Sequence, residues 1–128
     1  AYQELGATEV IALLDARMNE VYFSQLIRTE NGWMEKVKEQ VCSPERALEQ
    51  FQLDDEKITV VGTGWAAYSQ FAEQNLPLVI SEITLPSAKY MLALAEQEIE
   101  KGNVKSVDEI EPVYLRNEVT WKKLPHKQ

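Results

Sequence analysis

The 128-residue sequence predicts one α/β domain in which three antiparallel strands precede alternating helices and strands, β-β-β-α-β-α-β-α. Three observations carry this. Residues 19–29 are rich in β-branched and aromatic types, and Asn31-Gly32 after them is a strong hairpin signal. Ser43-Pro44-Glu45 then supplies an N-cap, a first-turn proline and a first-turn acid. Beyond it, short β-branched runs alternate with segments of helical period.

Each element follows from its residues. Residues 2–6 read as the end of a helix stopped at Gly6. "EVIALLDA", residues 9–16, is a continuous apolar run with Asp15 near its end, the pattern of a buried central strand. "NEVYFSQLIRT", residues 19–29, is a second strand. In it Tyr22 and Phe23 point to opposite faces, so one belongs to the core and one lies near the surface. "WMEKVKEQV", residues 33–41, places Trp33, Glu35, Val37, Glu39 and Val41 on one face, as in an outer strand with a wet side. The first helix runs to about Gln52 with Ala47, Leu48 and Phe51 inward. A strand at 58–62, a helix at 65–74 and a strand at 78–81 follow. Pro86-Ser87 starts a longer helix to about Lys101, where Tyr90, Met91, Leu94, Ala95, Glu98 and Ile99 recur at helical spacing and Gly102 ends it. The last segment, "EIEPVYLRNEVTW", contains Pro112 and shows no clear period. The element order is ribonuclease H-like, an analogy of arrangement that fixes no chemistry.

Composition narrows the function classes. Hydrophobic residues are 45% and charged residues 27%, as in an ordinary globular protein. The net charge of −8 works against nucleic-acid binding except where positive charge gathers, at Arg116, Lys122, Lys123 and Lys127, with His126 among them. Cys42 is the only cysteine, which excludes an internal disulfide and fits a reducing cytoplasm. No apolar run is long enough to cross a membrane. The sequence starts without Met and without a signal-peptide pattern, so the expectation is a processed chain or a piece of a longer one.

"TVVGTGWAAY", residues 59–68, has the look of a phosphate loop. A β-branched run ends in Gly62-Thr63-Gly64, a helix-like run follows, Ala67 takes the third small position and Glu82 lies near the place of a ribose acid. The context argues against a free-standing dinucleotide site. That fingerprint belongs on the first strand of a parallel βαβ unit, and the Trp65 indole would crowd a pyrophosphate. The other reading is a strand-to-helix turn that needs positive φ. A two-metal nuclease could use Asp15 with Glu45 or Glu49, but the fourth strand ends in glycine rather than a carboxylate. Asp15 is therefore expected to bind nearby backbone or Arg17. Cys42 lacks a nearby histidine partner, and no zinc ligand set is visible. Neither catalytic residues nor metal ligands are assigned.

Two further motifs are more distinctive. "ALLDARMNEVYF", residues 12–23, carries Asp15, Ala16, Arg17, Glu20, Val21 and Tyr22. "EPVYLRNEVTWKKLP", residues 111–125, carries Pro112 to Arg116 and Trp121. With "VGTGW" between them, they resemble, in order and over nearly the whole chain, the C-terminal half of the TsaB (YeaZ) family. The resemblance implies the second lobe of an actin-like ATPase fold, with residues 1–6 ending an interlobe helix, 7–120 forming a ribonuclease H-like lobe and 121–128 a basic tail. The first lobe would be absent. It implies a non-catalytic subunit in the synthesis of threonylcarbamoyladenosine at adenosine 37 of tRNA. The implied partners are TsaD and TsaE, with tRNA reached through the complex, and the full-length protein could form a homodimer. No cofactor is implied for this chain, ATP entering only in the assembled complex. A peptidase acting on TsaD, or a nucleotide-binding lobe, is the alternative.

Within that resemblance, Gly62, Thr63, Gly64 and Trp65 are expected to form a relic nucleotide turn. Arg17 is expected to pair with Asp15 or Glu20 to fix the first hairpin turn. Pro112, Tyr114 and Leu115 are expected to dock the final segment, through core packing ahead of partner contact. Trp121 is an interface candidate, and Lys122, Lys123 and Lys127 read as a solvated tail or a contact to tRNA phosphates.

Overall fold

A computed structural model describes residues 1–54, 57–103, 106 and 112–116. A helical turn α1 (Tyr2–Leu5) leads into strands β1 (Glu9–Asp15), β2 (Val21–Thr29) and β3 (Gly32–Cys42). Helix α2 (Pro44–Gln50), strand β4 (Ile58–Val61), helical turns α3 (Gly64–Ala67) and α4 (Ser69–Ala72) and strand β5 (Leu78–Ile80) follow. A 3₁₀ turn (Ala88–Tyr90) runs into helix α5 (Met91–Glu100). The strands form one sheet of order β3-β2-β1-β4-β5. The β1–β2 and β2–β3 pairs are antiparallel, while β4 runs parallel to β1 and β5 parallel to β4. The apolar run of β1 is thus explained by its central place, with a partner on each side.

Capping signals are realised at several ends. Gly6 takes the left-handed conformation after α1, and its amide donates to the Tyr2 carbonyl. Ser43 Oγ accepts from the Arg46 amide at the start of α2. The core lies on one face of the sheet, where Ile11, Leu13, Val21, Phe23, Ile58 and Val60 meet Ala47 of α2 and Phe71 of α4. Each such fully buried aliphatic or aromatic side chain contributes roughly 1.5–3 kcal/mol. An aromatic chain crosses this layer: Phe23 lies 5.4 Å from Phe51, Phe51 is 6.3 Å from Phe71, and Phe71 is 5.5 Å from Trp65 between ring centroids. Phe23 is buried and Tyr22 half-buried, as alternation demands.

Two expectations are corrected, and one apolar face goes without cover among the described residues. The helix expected over 65–74 is two single turns, broken where Tyr68 adopts extended backbone (φ −128°, ψ 121°). The alternation of β3 is interrupted. Its ladder with β2 shifts between Phe23 and Leu26, so Val37 packs on the core while Gln40, opposite Phe23, bonds Gln50 of α2. Along α5 the helical spacing is present without the burial it implies. Met91, Leu94 and Ile99 are 64%, 48% and 64% exposed, and no α5 residue is buried. The periodic apolar face has nothing to cover it among the described residues.

A buried polar knot ties the start of β1 to β3 and to the loop after α2. Glu9 is 1% exposed and accepts from Gln25 Nε2 at 2.9 Å and Lys36 Nζ at 2.6 Å. Lys36 also reaches Asp54 at 2.6 Å, and these two carboxylates, Asp54 first, hold its ammonium above the ordinary lysine range.

Candidate functional site

The motifs that stand far apart in sequence meet at one end of the sheet, where β1 and β4 both finish. Asp15 closes β1. Its amide donates to Thr63 Oγ1 at 3.0 Å, which joins the hairpin turn to the Gly62-Thr63-Gly64 turn. Its carboxylate Oδ1 accepts from the Arg17 amide and from the Tyr68 hydroxyl, each at 2.9 Å. The Arg17 amide, then the Tyr68 hydroxyl, hold the Asp15 carboxyl below its usual range. Burial, followed by the neighbouring Asp15 carboxylate, pushes the Tyr68 phenol up. The Tyr68 hydroxyl also lies 3.0 Å from the Glu20 carbonyl, so one proton serves two acceptors. This double contact accompanies the helix break at Tyr68.

Between Asp15 and Glu20 the chain turns through three successive left-handed residues, Arg17, Met18 and Asn19, with φ of 63°, 56° and 58°. None is glycine, and each left-handed residue costs roughly 1–2 kcal/mol. The Ala16 amide donates to the Glu20 carbonyl, and the Glu20 amide to the Arg17 carbonyl, both at 3.0 Å. Arg116 arrives from the other end of the chain. Its Nη1 donates to the Ala16 carbonyl at 2.7 Å, and its Nη2 to Glu20 Oε1 at 2.8 Å. The planar fork of a guanidinium suits such convergent acceptors.

Of the two partners expected for Arg17, Asp15 is the one it meets, and the docking expected of the final segment changes. Glu20 is engaged by Arg116 rather than Arg17. Arg17 is 88% exposed, with only a 3.8 Å contact to Asp15, and an exposed pair of that kind contributes about 0–1 kcal/mol. The final segment docks through Arg116, whose side chain is 13% exposed. Pro112 and Tyr114 are exposed and Leu115 is half-buried, so core packing is not what holds the segment. Trp121, His126, Lys122, Lys123 and Lys127 lie outside the described residues.

The Gly-Thr-Gly turn has a packing reason for each glycine. Gly62 has φ 102°, its amide donates to the Ile83 carbonyl at 2.8 Å, and a Cβ there would stand 2.0 Å from the Leu13 carbonyl oxygen. A Cβ on Gly64 would stand 3.0 Å from Leu13. The Trp65 indole stacks on Phe71 and packs against the core. Ala67 and Glu82 are exposed. Beside the turn runs a groove of about 640 Å³, bordered by Leu14, Gly62, Ile83, Tyr90 and Leu94, with Glu4 and Glu82 among its lining residues.

Two of the groups that chemistry could recruit are engaged or enclosed. Glu45 sits at the start of α2, where its own amide and then Gln70 hold its carboxyl below the usual range. Cys42 is buried, and burial pushes its thiol up. Among the described residues, no group of three or more His, Cys, Asp and Glu side chains could hold a metal ion. Sequence reasoning missed Tyr68. A tyrosine inside a short helix-like run carries no local mark of a distant acceptor.

No family model matches the chain. The tRNA threonylcarbamoyladenosine biosynthesis protein TsaB of Haemophilus influenzae is 53% identical to it, and that of Escherichia coli 44% identical, each match covering the whole chain. This chain belongs to the TsaB family. It spans 56% of the length of each of these relatives, a C-terminal part of them. The TsaB protein of Buchnera aphidicola is 27% identical over 84% of the chain. Among solved structures, YeaZ from Pseudomonas aeruginosa superposes with a TM-score of 0.76 at 32% identity, covering 89% of this chain and 53% of that one. A second structure, described as an uncharacterized protein with similarity to peptidase YEAZ from Pseudomonas aeruginosa, has a TM-score of 0.77 at 32% identity over 91% of this chain. Both share the mixed α/β architecture. No helix among the described residues is long and apolar enough to cross a membrane.

Proposed function

We propose that the chain is the C-terminal lobe of a TsaB protein and serves as a non-catalytic scaffold in the complex that adds threonylcarbamoyl to adenosine 37 of tRNA. The observation that carries this is the use of the distinctive residues. Asp15, Thr63, Tyr68, Glu20 and Arg116 bond one another and the backbone around them. Gly62 and Gly64 admit the Leu13 backbone. Among the described residues, the signature side chains of Asp15, Tyr68, Glu20 and Arg116 thus spend their polar groups on one another and on the backbone of this corner, which supports a structural use of the motif. The strand order β3-β2-β1-β4-β5, with a parallel β1–β4 pair, supports a ribonuclease H-like lobe of an actin-like fold.

In this reading residues 1–6 end an interlobe helix and 121–128 form a basic tail. TsaD and TsaE homologues are the partners, tRNA is reached through them, and the setting is the cytoplasm. The Gly62–Trp65 turn is a relic that keeps its geometry without nucleotide affinity of its own, ATP being held only in the assembled complex. Depleting the full-length parent protein should abolish threonylcarbamoyladenosine in total tRNA, measured by mass spectrometry. The intact protein should restore it and this lobe alone should not. Unchanged nucleoside levels would overturn the proposal.

A peptidase reading is favoured by the description of one solved relative. The buried Cys42, with its raised thiol pKa, is a poor nucleophile for it. Titrating ATP and magnesium into the chain by calorimetry tests the nucleotide alternative. Clear heat at 1:1 stoichiometry would sink the relic reading.

A further inference from the structure

We infer that Arg116 is a latch: it holds residues 17–19 in their left-handed conformation, so that displacing segment 112–116 lets the turn relax. The inference joins two independent observations. The first is the turn itself, three successive non-glycine residues with positive φ, a conformation that persists only where its surroundings over-determine it. The second is the manner in which the distant segment docks. Pro112, Val113 and Tyr114 are exposed, the latter two at 74% and 70%. The segment's described hydrogen bonds to the rest of the lobe come from the Arg116 guanidinium.

All three Arg116 contacts land on the turn. The carbonyls of Ala16 and Arg17 and the carboxylate of Glu20 face one fork, at 2.7, 3.4 and 2.8 Å. The local bonds of the turn, Ala16 to Glu20 and Glu20 to Arg17, close a loop without satisfying the Ala16 carbonyl. Removing the guanidinium leaves that part-buried carbonyl and a half-buried carboxylate unpartnered, while the left-handed cost remains. Relaxation of the turn is then the route by which these groups regain water. Because the Asp15 amide bonds Thr63 and the Asp15 carboxylate bonds Arg17 and Tyr68, the movement reaches the Gly62–Gly64 turn. A partner that grips Pro112–Tyr114 would therefore reshape the surface that presents Arg17 and Met18.

The test uses the full 128-residue chain. In Arg116→Gln, backbone amide NMR shifts of residues 15–20 and 62–64 should move while those of Ile11 and Val60 stay. Met18→Gly supplies the second readout. Glycine adopts positive φ freely, so it relieves strain only where the turn is held in place. Its gain in urea midpoint should be larger in the wild-type background than in Arg116→Gln. Unmoved shifts at 15–20, or an equal Met18→Gly effect in both backgrounds, would overturn the latch. If Arg116→Gln does not fold, Glu20→Gln removes the charged half of the contact and the same two comparisons are made in that background.

Discussion

Gly62→Ala is the sharpest test of why the Gly-Thr-Gly turn exists. Gly62 has φ 102°, and holding a residue with a side chain in such a region costs roughly 1–3 kcal/mol. The new Cβ would stand 2.0 Å from the Leu13 carbonyl oxygen, where real Cβ atoms essentially never come within 3.0 Å. The neighbour is backbone of the central strand, so β4 must move from β1, against a register that pairs Val10 with Thr59, Ile11 with Val60 and Ala12 with Val61. Overpacking of that kind costs a further 1–3 kcal/mol or so. The sum of roughly 2–6 kcal/mol is a large part of the 5–15 kcal/mol that stabilises a typical domain. Urea unfolding followed by Trp fluorescence reads the change. Gly102→Ala is the control, with φ 76° and no atom of the described residues within 4 Å of the new Cβ, so that strain acts there without a described clash. A Gly62→Ala variant as stable as Gly102→Ala would refute the close-approach reasoning.

Other outcomes follow from the same contacts. The Asp15 carboxyl has a lowered pKa in the folded state, so its contribution is present above the unfolded value and is lost as pH falls through the folded one; below about pH 4 the wild type should lose stability more steeply than Asp15→Asn in acid titrations followed by circular dichroism. Lys36→Met should cost about 3–5 kcal/mol in urea unfolding, because it strands the buried Glu9 charge, and adding Glu9→Gln should recover much of that loss. Cys42 is 6% exposed with a raised thiol pKa, so a thiol reagent at pH 7 should label it slowly in the native chain and quickly in denaturant.

Elements were legible wherever their cause was local. Ser43-Pro44 started α2, Gly6 ended α1, Asn31-Gly32 marked the β2–β3 connection, and the apolar run of β1 found its central place. The misreadings have non-local causes. Tyr68 leaves the helical region where its hydroxyl meets Asp15 and Glu20, residues distant in sequence. The β3 alternation fails at a ladder irregularity shared with β2. The apolar spacing of α5 is present as the sequence shows it, and the lack of cover has no mark there, since a period reports an apolar face but not what lies against it. At the site, Asp15, Glu20 and Arg116 were legible as motif residues. Asp15 binds the Arg17 amide as its position suggested, but the Glu20–Arg116 pair was not legible, because Arg17, the nearer cation, leaves Glu20 to a residue from the far end of the chain.

The position of β1 also bears on the order in which the chain folds. Its partner β2 is reached through the tight turn at 16–20, and β3 follows directly at Gly32, so the antiparallel half can zip from neighbouring segments. The partner on the other side, β4, must first close a long loop, an entropic cost met before any parallel contact forms. Pairing of β4 is then expected to be the slow step. Until it occurs, one edge of β1 stays open while Ile11 and Leu13 lack much of their cover, and that early meander is the species most prone to associate with its own kind.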